Sequence, residues 1–128
     1  QLPSITTVYT EVIPIPTGKG SFATDQSPEY FYMCSSSCIL FNVALIYHLD
    51  AMMEVNCRKR QQQMLQAQSL YDKCVRLIFA QGIEYCVSRH HPILDLLSMA
   101  VLNNYAHIGY ELCEFEKTKK YSDCLKYV

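Results

Sequence analysis

The chain of 128 residues has no tryptophan, only four glycines and five prolines, and no excess of either charge. Eleven Lys and Arg against twelve Asp and Glu leave a formal net charge of −1. There is then no basic field to hold a phosphate backbone, and nucleic acid is a poor default partner. No Gly-rich phosphate loop, GxSxG or HExxH pattern occurs, which removes the usual sequence marks of nucleotide binding, serine hydrolysis and zinc proteolysis. The longest apolar stretch, Cys38 to Leu49, contains Asn42 and His48 and falls short of the ~18 residues a spanning helix needs, so no membrane crossing is predicted. Seven cysteines are present but none forms a CxxC pair. A disulfide framework is therefore not expected, and reduced cysteines packed as small apolar groups point to a reducing intracellular compartment.

What is present is apolar material. Half the residues are hydrophobic and 18% are charged, enough for one buried core in one domain. The chain starts at Gln1, and Gln1 to Ser4 is no charged-then-apolar leader, so it reads as processed or as part of something longer.

Two regions differ in period. Residues 1–33 read as an extended N-terminal arm, with Val8 to Ile13 as a short strand and Thr17 to Ser27 as a polar loop, punctuated by Pro3, Pro14, Pro16 and Pro28. From residue 34 to 128 the period becomes helical. Ser35, Ser36 and Ser37 offer N-cap oxygens for a first helix from about Ser36 to Met53, with Ile39, Val43, Ile46 and Leu49 as its core stripe. Met64, Ala67, Leu70 or Tyr71, Cys74, Leu77 and Ile78 mark a second helix. Pro92 opens a third, striped by Leu94, Leu97, Val101, Tyr105, Ile108 and Leu112. Phe115, Thr118, Tyr121 or Ser122, and Leu125 mark a fourth. The fold class is all-α, four helices in two antiparallel hairpins.

The two hairpins overlay. The segment from Leu102 to Thr118 resembles a tetratricopeptide (TPR) repeat, with Tyr105 and Ala106 where the motif places Leu-Gly but Gly109 where it usually has an aromatic, and Val43, Ala44 and Tyr47 fall on the signature positions of another first helix, with Ala67, Tyr71 and Cys74 on its partner. Small residues at Ala44, Ala67 and Ala106 let paired backbones approach closely. The first hairpin is about eleven residues longer than the motif, as counted along the repeat. Cys113 stands where the motif favours glycine. A phrase of the type Phe41-Asn-Val-Ala-Leu-Ile-Tyr-His48, with Leu102-Asn-Asn-Tyr-Ala-His107 later, is similar to a large group of TPR-like proteins from diatoms and related algae. The resemblance implies a short helical solenoid that binds protein or peptide, and carries no chemistry with it.

On the TPR alignment, the groove of the first helices would present Phe41, Asn42, Leu45 and His48, then Asn103, Asn104, His107 and Tyr110. Asn42 and Asn104 coincide with the asparagine that peptide-binding TPR domains use on a peptide's main chain, since one amide offers a donor and an acceptor. No Lys or Arg stands beside them, so the expected ligand is apolar or aromatic rather than a terminal carboxylate. The reading is a non-catalytic interaction module without cofactor or metal, part of a larger assembly, whose exposed apolar positions on the first and third helices carry the contact. One rival is a metal-binding protein or enzyme using Cys86, His90 and His91; another is a structural piece whose arm fills its own groove. Enzyme pairs such as Cys74 with His48 or Asp95 with His107 rest on residue type alone.

Overall fold

The computed structural model describes residues 7–15, 28–80 and 92–113. Among them are three helices and no strand: α1, Pro28–Met53; α2, Cys57–Ile78; and α3, Pro92–Glu111. The all-helical class is as predicted. The fourth helix, from residue 114 on, and the Cys86, His90 and His91 cluster lie outside the described residues.

Helix α1 starts two turns before the serines. Pro28 takes its first position, where a residue without an N–H loses nothing and its fixed φ suits the helix. Ser35 to Ser37 are helix interior, and residues 28–33 belong to the helix rather than to the arm. This added length also makes α1, from Tyr30 to Met53, long and apolar enough by composition to cross a membrane. The apolar run is thus longer than the Cys38 to Leu49 stretch read from the sequence, and a core helix passes the same test of length and composition.

The core stripe of α1 is also shifted in phase. Ile39, Val43 and Ile46 are exposed, Ile46 by 57%, while Cys34, Cys38, Phe41, Ala44, Leu45, His48 and Ala51 are buried. Helix α1 is apolar nearly all round, so hydrophobicity alone cannot choose its inner face. The face that packs, with α2 as its main neighbour, combines the small Cys34, Cys38, Ala44 and Ala51 with the larger Phe41, Leu45 and His48.

Helices α1 and α2 are joined by Glu54, Val55 and Asn56, a connection short enough to fold them into a hairpin. Asn56 caps α2, its side-chain oxygen accepting from the Lys59 N–H at 3.0 Å, which satisfies one of the orphan donors of the first turn. Helix α2 buries Met64, Ala67, Tyr71, Cys74, Val75 and Ile78, so Tyr71 rather than Leu70 carries the stripe. Helix α3 buries Leu94, Leu97, Val101, Tyr105 and Ile108 as its pattern predicts. It ends at Glu111, followed by Cys113 in the left-handed region at φ 60, a conformation that favours glycine. Ala44, Ala67 and Ala106 are all fully buried.

Candidate functional site

The arm, residues 7–15, lies across α1 and α3 as irregular extended chain with a bend at Glu11. The predicted strand does not form there because the partners of its main chain are side chains. The Tyr9 N–H donates to Oδ1 of Asn104 at 2.8 Å, and Nδ2 of Asn104 donates back to the Tyr9 carbonyl at 2.8 Å. Asn42 repeats the arrangement on Ile13: its Oδ1 accepts from the Ile13 N–H at 2.8 Å and its Nδ2 donates to the Ile13 carbonyl at 2.9 Å. Nδ2 of Asn103 adds a bond to the Thr7 carbonyl at 3.0 Å. Each amide thus stands in for the neighbouring strand of a ladder.

Side chains of the arm lock into the same surface. Ile13 is only 1% exposed and Val8 is buried, while Thr10, Glu11 and Val12 face outward. The bend at Glu11 breaks strict alternation and allows positions 8 and 13 to face inward together. The Tyr9 ring lies 6.0 Å from that of Phe41, which in turn stacks at a tilt on Tyr71 at 5.7 Å.

Beneath the arm runs a buried polar chain. Nδ2 of Asn104 also donates to the Tyr71 hydroxyl at 3.2 Å, so that hydroxyl has its own hydrogen left for Nδ1 of His48, 3.2 Å away. Nε2 of His48 meets Nδ1 of His107 at 3.1 Å, one ring donating and the other accepting. Nε2 of His107 faces Glu111 at 3.9 Å. Burial, reinforced by the neighbouring His107, drives the His48 pKa down to about 3. Burial also lowers His107, with Glu111 opposing and Arg60 assisting. Both rings are neutral at physiological pH.

Of the eight residues expected in the groove, Asn42, Asn103 and Asn104 meet the arm's main chain, Phe41 meets its aromatic, and His48 and His107 bond to each other. Leu45 is core, and Tyr110 is half exposed near the end of α3. Tyr71 completes the constellation. Its apolar spacing on α2 marked it as core and gave no signal that its hydroxyl would bridge Asn104 and His48.

The candidate enzyme pairs do not assemble. His48 spends both nitrogens on Tyr71 and His107, and the Cys74 thiol donates to the Ser37 carbonyl at 3.3 Å. Burial raises the Cys74 thiol pKa well above its usual value. Asp95 lies three turns before His107 on one helix, about 18 Å at 1.5 Å per residue. Among the described residues no group of three or more His, Cys, Asp or Glu could hold a metal ion. Comparison with family models, curated proteins and solved structures finds no match to the chain.

Proposed function

We propose that this chain is a non-catalytic interaction module of tetratricopeptide type, a peripheral subunit or scaffold of an intracellular assembly. Its groove between α1 and α3 holds an extended polypeptide by the main chain. The observation that carries the reading is the paired grip of Asn42 on Ile13 and Asn104 on Tyr9, two amides on two helices each saturating both polar groups of one residue. Such recognition is indifferent to most side chains and suits a surface that takes extended segments. Close nesting at Ala44, Ala67 and Ala106 agrees with the repeat family, and a fourth helix after residue 113 belongs to the same reading.

The test is the double variant Asn42→Ala, Asn104→Ala. Loss of these bonds costs about 1–3 kcal/mol for each buried group left unpaired. Amide exchange at Tyr9 and Ile13 is expected to accelerate and capture of an extended segment to fail, with far-UV helicity retained. An arm as protected as before rules the grip out as the source of binding.

A further inference from the structure

Helix α1 has an outer face as well as the face that packs on α2. Along it stand Tyr32, Ser36, Ile39, Val43, Ile46 and Asp50, all of them exposed. The steps between them alternate between four residues and three. That is the heptad spacing which keeps one narrow seam of a helix turned toward another helix along its length. No Asp, Glu, Lys or Arg occurs from Tyr30 to Leu49, so Asp50 is the one charge in the seam. The seam is therefore aliphatic at its centre and polar at its ends, with a phenol and a hydroxyl at one end and a carboxylate at the other.

We infer that this seam is a contact with a second copy of the chain, two α1 helices packed antiparallel about a two-fold axis. The argument is self-complementarity, which a two-fold contact requires of its patch. Two helices of the span Pro28–Met53, laid in opposite directions with full overlap, set Ile39 against Val43 of the second copy and Ile46 against its Ser36. The same alignment sets the Asp50 carboxylate against the Tyr32 hydroxyl of the second copy, and every pair occurs twice. The aliphatic side chains meet at the centre, and the one charge meets a hydrogen-bond donor. A parallel pair would set Asp50 against Asp50, so charge selects the antiparallel orientation. An unrelated helix would have to match both the length and the polar ends, and the second copy matches both. A lipid surface is the poorer occupant, because it would draw Asp50 toward acyl chains together with the aliphatic residues. The contact uses the outer face of α1 and does not depend on the grip on the arm. A single helix pair buries less than the ~800 Å² per partner of a standard interface, so the dimer is a reversible one, with a dissociation constant on the order of 10 µM.

The experiment measures the mass of the full chain by sedimentation equilibrium from about 1 to about 500 µM. The mass should rise from 14.8 kDa toward twice that value. Val43→Glu, and separately Ile46→Lys, put a charge into the seam at positions that are exposed in the single chain. Circular dichroism should therefore be unchanged while self-association weakens by about tenfold or more, since each substitution enters a two-fold contact twice. Orientation is read at one end of the seam. Tyr32→Lys sets an ammonium, and Tyr32→Glu a carboxylate, opposite Asp50 of the second copy, so at low salt the lysine variant should associate about tenfold more tightly than the glutamate variant. A monomer throughout the concentration range overturns the inference. So does a dimer that both seam variants leave intact, which would place the contact elsewhere on the surface. Equal association of the two Tyr32 variants overturns the antiparallel alignment, because a parallel pair sets position 32 against itself. A chain that stays monomeric yet floats with neutral phosphatidylcholine vesicles, and ceases to do so with Val43→Glu, makes lipid the occupant of this face and overturns the second copy.

Discussion

The Tyr71 hydroxyl lies 3.2 Å from Nδ1 of His48 and 3.2 Å from Nδ2 of Asn104, so one buried oxygen joins an imidazole to the amide that holds the arm. Replacing Tyr71 with Phe keeps the ring against Phe41 and strands both partners in a dry site. The expected loss is about 1–3 kcal/mol, read from the urea midpoint. Amide exchange at Tyr9 should quicken while Ile13, held by Asn42, is spared. Equal acceleration at both would mean that the arm detaches as a unit.

Acid should weaken the fold. The His48 pKa is lowered to about 3 and that of His107 is lowered too, whereas unfolded histidine titrates near ~6.5. Below that value the unfolded chain binds protons that the folded chain refuses. Stability is thus complete above about pH 6.5 and falls with pH toward the folded value, by up to ~1.4 kcal/mol per unit for His48. Urea melts at about pH 7.5 and about pH 4.5 should differ by roughly 2–3 kcal/mol. A flat profile would contradict two neutral, buried rings.

Thiol chemistry should sort by position. Cys57 and Cys113 are exposed, while Cys34, Cys38 and Cys74 are buried. Burial, with Cys34 adding to it, pushes the Cys38 thiol up to about 12. Among the five cysteines of the described residues, brief alkylation of the native chain followed by peptide mapping should mark Cys57 and Cys113 and leave Cys34, Cys38 and Cys74 until denaturant is added.

Helix ends offer opposite effects. Asn56→Ala removes the cap of α2 and should cost about 1 kcal/mol. Cys113→Gly relieves a left-handed residue and should raise stability by about 0.5–1 kcal/mol. Thermal melts of the two variants should move in opposite directions.

The stripes of α2 and α3 are legible in the sequence because each carries polar residues on its other faces. Helix α1 does not offer that contrast. Ile39, Val43 and Ile46 look like core beside Ser37, Cys38 and Ala44, yet the face that packs is the one of Cys38, Phe41, Ala44, Leu45 and His48, a mix of small and large side chains that a hydrophobic pattern does not single out. The start at Pro28 was readable by the same rule that marked Pro92, but its setting among loop prolines hid it. Asn42 and Asn104 stand out as amides on apolar helices. That their nearest peptide is the chain's own arm is a long-range pairing, with 95 residues separating Tyr9 from Asn104, and no local pattern reports it.

Because the two amides hold backbone atoms, Thr10, Glu11 and Val12, the last 66% exposed, are left without a selective duty between the two grips. Neutral drift should accumulate at those three places, and a dye or affinity handle attached there would ride on the protein without disturbing it. Proline is barred at the flanking positions 9 and 13, where the amide hydrogen is used.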